Sequence, residues 1–185
     1  MKRTALLLAL LAAAAMLLAG FAQAAEESHA YIGLKKCSMC HKKDATGNQL
    51  AKWQESAHAK AFEVLGTDAG KAKAAKLGVE DPTTSDKCLG CHTTGHGISA
   101  ELGAALMLPE DGVSCEACHG AGGDYYKMGT MKAIRAGTTE AASVGLVMPD
   151  KTTCVQCHKA DNPEHKAEFD FDAAAKLIAH PIPSE

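Results

Sequence analysis

Hydrophobic and polar positions change their period several times along the chain, and each change marks a segment. Lys2 and Arg3 precede an unbroken apolar run from Ala5 to Ala19, and Ala22-Gln23-Ala24 supplies small residues behind it. That order is the pattern of an export signal removed after residue 24. As an uncleaved anchor the run would be at the short limit for a spanning helix, and Phe21 stands where a lipoprotein signal would need cysteine. Residues 1–24 are therefore expected to be a cleaved signal peptide. Residues 25–185 are expected to form one domain without stable membrane insertion.

Within that domain Leu50, Trp53, Ala57, Ala61 and Val64 recur at helical spacing from Gln49 to Leu65, with Phe62, Leu65 and His58 beside the stripe. Asp68 is placed to cap a Lys/Ala-rich helix that ends at Gly78, and Pro82 bars its continuation. Glycines at 95, 97, 103 and 112 with Pro109 predict irregular backbone over 93–114. After the turn Gly120-Ala121-Gly122-Gly123, Asp124 is expected to cap a helix through Arg135 carrying Tyr125, Met128 and Met131 on adjacent turns. Residues 137–149 read as a loop. Asp170 is expected to cap a last helix on which Ala173, Leu177 and His180 share a face, ended by Pro181. No strand-like alternation of any length occurs. The predicted class is mostly α with long loops.

Composition changes the picture in one respect. The segment after residue 24 keeps only seven aromatic residues (Tyr31, Trp53, Phe62, Tyr125, Tyr126, Phe169, Phe171), few for a core built from side chains alone. Something else is expected to fill the interior. The same segment carries 17 basic and 22 acidic side chains, a formal charge of −5, so nucleic acid is an unsuitable partner.

The cysteines say what the filling is. All eight fall into C-x-x-C pairs, each followed directly by histidine: Cys37-Cys40-His41, Cys88-Cys91-His92, Cys115-Cys118-His119 and Cys154-Cys157-His158. This is the attachment signature of c-type haem. The two thiols add to the two vinyl groups on one porphyrin edge, and the adjacent imidazole is set under the iron. Zinc would need no histidine directly after each pair, and C-x-x-C loops are short for structural disulfides. Four covalently attached haems are predicted, one per about 40 residues, forming the core of a compact multihaem cytochrome c fold. The motifs start at 37, 88, 115 and 154, without a fixed period.

The far side of each iron decides the chemistry, since two histidines give a low-spin electron-transfer centre and an open position admits ligands. Five histidines lie outside the motifs: His29, His58, His96, His165 and His180. His58 and His180 adjoin apolar helical faces and are expected to be axial ligands. His96 follows His92 by four residues, too near to reach the far side of its own haem, but able to serve a neighbour. His29 could ligate within its chain, ligate a neighbouring subunit or do neither. His165 lies in a polar stretch and reads as a surface residue. Met39, Met107, Met128, Met131 and Met148 read as packing residues rather than axial thioethers.

Tyr31-Ile32-Gly33 through Cys37-Ser38-Met39-Cys40-His41, then Trp53 and Ser56-Ala57-His58-Ala59-Lys60-Ala61, resemble the tetrahaem cytochrome c-554 family. Cys88 to Gly95, Cys115 to Gly120 and the closing Phe169-Asp170-Phe171 to His180 continue the resemblance over essentially the whole mature chain. The resemblance implies a mostly helical fold with closely stacked haems and makes His58 and His180 the distal ligands of the third and fourth haems, respectively. In the founding family the second haem, here on His92, is five-coordinate. Related proteins of metal-reducing bacteria have every haem bis-histidine ligated, and some polymerise into extracellular filaments in which a histidine crosses to the next subunit. The founding family also supplies the distal ligand of the first haem from between the third and fourth motifs. Residues 120–153 contain no histidine, so His29, His96 or a second subunit must provide it.

The expected function is that of an exported, periplasmic or extracellular electron carrier, not an enzyme, that passes single electrons along its haems between redox partner proteins. Haem propionates add to the negative charge, so a basic docking surface is expected on the partner. Two other readings compete: a homopolymer conducting electrons in a filament, and an open iron at His92 or His41 acting on small nitrogen compounds, with Glu116 or Tyr126 as acid-base groups.

Overall fold

The computed structural model describes residues 28–159, 169–180 and 182; the signal segment, His165 and Pro181 lie outside them. Among the described residues there is no strand. Eight short helices are α1 (Leu34–His41), α2 (Gln49–Gln54), α3 (Asp68–Lys76), α4 (Asp86–His92), α5 (Cys115–His119), α6 (Met128–Arg135), α7 (Lys151–Cys154) and α8 (Phe171–Ile178). Single 3-10 turns and loops join them.

The chain buries little of itself. Leu65, Ala74, Val79, Met107, Ala121 and Tyr125 are the buried apolar residues among those described, with Pro82 fully enclosed. Met128, Met148 and Leu177 stay 65%, 66% and 73% exposed. Six scattered apolar residues are no core for a domain of this size. The exposed apolar side chains are surface held for something the polypeptide does not supply.

The helix expected over 49–65 is broken in two places. The α2 helix stops at Gln54, and His58–Lys60 and Glu63–Gly66 form separate 3-10 turns. Carbonyl groups that a continuous helix would use internally are taken by distant partners. Val113 N–H donates to the His58 carbonyl at 3.0 Å, and His92 Nδ1 lies 2.5 Å from the Ala61 carbonyl. Ser56 Oγ also donates to the Trp53 carbonyl at 2.7 Å, an alternative that favours leaving the helix.

The α3 helix forms as expected, but its cap is Thr67, whose hydroxyl accepts from Gly70 N–H at 3.1 Å. It ends at Lys76, and the chain turns away at Gly78, φ +67°, with Val79 N–H returning to the Ala74 carbonyl. Residues 93–114 form the expected loop with three 3-10 turns. The helix expected from Asp124 begins only at Met128. Tyr125 is instead buried, its hydroxyl donating to the Gly120 carbonyl at 2.8 Å. At α8, Asp170 does cap, accepting from Ala173 N–H at 3.1 Å. His180 lies two residues beyond the end of α8.

An N-terminal strap ties these pieces together. Tyr31 N–H donates to the Leu102 carbonyl at 2.7 Å, and Gly123 N–H to the Ala30 carbonyl at 2.8 Å. Gly33, at φ +76°, leads into α1 so close to Leu106 that an added Cβ would fall 2.3 Å from its carbonyl oxygen. Only glycine fits that junction.

Candidate functional site

Three of the four motifs lie on helices: Cys37 to His41 ends α1, Cys88 to His92 ends α4, and Cys115 to His119 is all of α5. Spacings of three and four residues bring the two thiols and the imidazole to one side of a helix. The fourth motif starts at the last residue of α7, capped by Asp150 through Thr152 and Thr153 N–H, and continues as a turn. None of the eight cysteines forms a disulfide. No three His, Cys, Asp or Glu side chains among the described residues converge on a metal site, so the thiols are not gathered into zinc tetrads.

The thiols meet between motifs, and the order differs from that of the sequence. Cys37 hydrogen-bonds Cys115, and α1 packs on α5. Cys118 lies beside Cys154, and Cys157 hydrogen-bonds Cys91. In space the motifs therefore run first, third, fourth, second. Before attachment, the bond to Cys115 and burial push the Cys37 thiol up, and burial with the Cys91 contact pushes Cys157 up to about 11. These thiols stay protonated at neutral pH.

The histidines come together in pairs. The His58 and His158 rings lie 6.0 Å apart, centroid to centroid, and those of His119 and His180 lie 5.8 Å apart. Two imidazoles holding one metal ion from opposite sides, at about 2 Å per metal–nitrogen bond, have centroids roughly 6 Å apart. The rings are not parallel, at 75° and 48° to one another, and the spacing matches one iron between them. His158 is further braced by Phe169, stacked at 4.6 Å and 14°. The partners are the reverse of those the resemblance implied: His58 faces the fourth motif and His180 the third.

Hydrogen bonding sets which ring nitrogen is left for a metal. His41 Nδ1 meets Gln49 Oε1 at 3.0 Å, His92 Nδ1 the Ala61 carbonyl, and His119 Nδ1 the Val147 carbonyl at 3.1 Å. His29 Nδ1 lies 2.7 Å from Asp124 Oδ2. A hydrogen bond at Nδ1 is the outer-shell arrangement of a histidine that ligates through Nε2. Burial, then His158, holds His58 below the usual imidazole pKa. Burial, then the His180 and His41 charges, does the same at His119, and burial with His41 at His180. Each shift favours the neutral form that binds metal. Paired spacing, Nδ1 hydrogen bonds and exposed apolar surface all fit haem.

His29 and His96 are placed differently. His29 is folded into its own chain, against Asp124 and against Gly145, where an added Cβ would fall 2.5 Å from the ring. His96 lies over Gly90 of its own motif, with Nε2 3.8 Å from Asp86 Oδ1. Of the five methionines after residue 24, Met107 is core, and Met39, Met128 and Met148 are exposed. Glu116, nominated as an acid-base group, is 2% exposed and accepts from Ile32, Gly33 and Gly122 N–H. Residue pattern carries no sign of that burial, because a glutamate between two attachment cysteines reads as surface.

The sequence profile of a family described as cytochrome c554 and c-prime matches residues 36–120. A curated cytochrome c-554 of Nitrosomonas europaea is 41% identical over 107 residues, 52% of this chain and 43% of that protein. The matched stretch is thus less than half of the relative's length. The solved structure of reduced cytochrome c554 from the same organism superposes with a TM-score of 0.60 at 28% identity, covering 80% of this chain and 83% of that one. Sequence profile, relative and fold agree with the four attachment motifs: the chain is a c-type cytochrome with four haem attachment sites, similar to cytochrome c-554 in sequence over residues 36–120 and in fold over most of its length.

Proposed function

We propose that the protein is an exported electron carrier that moves single electrons between redox partners along four covalently bound haems. The observation that carries this reading is the pair of facing histidines, His58 with His158 and His119 with His180. Bound haem supplies a reversible one-electron couple at iron. Cys37, Cys40, Cys88, Cys91, Cys115, Cys118, Cys154 and Cys157 hold the four groups by thioethers, and His41, His92, His119 and His158 are the proximal ligands. His58 and His180 close the fourth and third sites against exogenous ligands. The contacts of Cys37 with Cys115, Cys118 with Cys154 and Cys91 with Cys157 set the path first, third, fourth, second.

His29 is the distal ligand we assign to the first haem. It is anchored to Asp124 and packed on Gly145, both within residues 120–153. It thereby reaches, from the N-terminal strap, the segment from which the resemblance expected a histidine. The same anchoring favours ligation within the chain over a crossing to another subunit, and so favours the carrier over the filament. A saturated Glu116 likewise speaks against the enzymatic reading.

Export to the periplasm or beyond rests on residues 1–24, and the charge of −5 on the segment after them suits partners with a basic face. A coulometric titration of the oxidised holoprotein tests the reading. Four electrons are expected to enter and leave reversibly, with no carbon monoxide bound at the third and fourth haems of the reduced form. Turnover of nitrite or hydroxylamine with carbon monoxide binding at those two sites would overturn it.

A further inference from the structure

Glu116 is the only charged side chain among the described residues that is buried, at 2% exposure. Its carboxylate accepts from Ile32 N–H at 3.0 Å and Gly122 N–H at 2.7 Å through Oε1, and from Gly33 N–H at 2.8 Å through Oε2. Three amide donors from two distant segments satisfy the carboxylate without neutralising its charge, because a peptide dipole carries no net charge. Its field falls on the first cysteine of two motifs at once, Cys37 and Cys115, and on Tyr31 and Tyr125. Acidic groups at the other two motifs are of another kind. Asp86 is 91% exposed, and Asp150 at the fourth motif is on the surface, so water and salt screen both.

We propose that Glu116 is a positioning and potential-setting residue: a buried anion that locks the N-terminal strap onto the third motif and lowers the reduction potentials of the first and third haems relative to the fourth and second. A fixed negative charge favours the ferric over the ferrous state, which carries one positive charge fewer. The first and third sites are thereby set below the fourth and second. Electrons received at the first and third haems run downhill toward the fourth and second. This gradient deepens the carrier reading and rests on it for its use, while the potentials themselves need no partner.

The test is a mediated redox titration of the holoprotein, resolving four midpoint potentials, on wild type, Glu116→Gln, Tyr31→Lys and the exposed control Asp68→Asn. Glu116→Gln keeps the side-chain length and removes the charge. Two of the four haems are expected to shift three- to tenfold toward the reduced form, roughly 30–60 mV for one electron, with the other two unmoved. Tyr31→Lys sets a cation beside an intact carboxylate and is expected to move the same two haems in the same direction by less. It also decides the question if Glu116→Gln fails to mature with four haems. Potentials unchanged in Tyr31→Lys, or a shift no larger than that of Asp68→Asn spread evenly over all four haems, would overturn the proposal. Haems that take up electrons reversibly but ignore both variants would sink the role of Glu116 alone. Haems that do not cycle would sink the carrier reading.

Discussion

The two ends of the described chain are held in opposite ways. The N-terminal strap is fastened to the third motif by the polypeptide: Glu116 gathers Ile32, Gly33 and Gly122, and Gly123 N–H donates to Ala30. Among the described residues the C-terminal segment shows no comparable network. Its fixed points are the Asp170 cap, the stack of Phe169 on His158 and the approach of His180 to His119, while Leu177 is left 73% exposed. One end is held chiefly by the polypeptide's own hydrogen bonds. The other relies on ring contacts and leaves apolar surface exposed, which suits a chain with so few aromatic residues.

The contrast can be broken first at its strongest point. Glu116→Ala leaves three inward-facing amides without an acceptor, at about 1–3 kcal/mol each for a buried unsatisfied group. A loss of at least about 3 kcal/mol is expected in denaturant unfolding of the holoprotein, with the strap becoming the first site of proteolysis. Gly33→Ala comes next. A Cβ 2.3 Å from the Leu106 carbonyl at φ +76° is expected to cost about 2–3 kcal/mol, again freeing the strap and not the C-terminal segment.

Sharpening the other side calls for smaller changes. Phe169→Leu removes a ring stacked on His158 and is expected to cost about 1 kcal/mol, with the fourth haem's Soret or near-infrared signature altered and the strap's protection from hydrogen exchange unchanged. Asp170→Ala removes the cap of α8 and is expected to cost about 1 kcal/mol or less, seen as faster exchange over residues 171–178 only. Were the C-terminal changes to loosen the strap, the two ends would be one cooperative unit and the contrast would fail.

Residue patterns made some of this legible and hid the rest for identifiable reasons. The attachment motifs, the Asp170 cap and the loop over 93–114 are local features, and local chemistry decides them. The stripe from Leu50 to Val64 looked like one helix because periodicity counts side chains and not carbonyls. The break comes from Val113 and His92 claiming the His58 and Ala61 carbonyls from 31 or more residues away. Asp124 read as a helix cap because a cap and a histidine's hydrogen-bond partner need the same carboxylate; His29, 95 residues distant, takes it. The exchange of partners between His58 and His180 has the same origin, since the order of ligands in sequence carries no information about which motif folds against which.

The central claim is that the His58–His158 and His119–His180 pairs each enclose one iron. Electron paramagnetic resonance of the oxidised holoprotein at low concentration, on wild type, His58→Ala and His180→Ala, tests it most directly. Each substitution is expected to turn one low-spin haem into a high-spin one, a different haem in each case, with all four haems still attached. Spectra of both variants that match wild type would contradict the account, because the facing imidazoles would then be neighbours and not ligands.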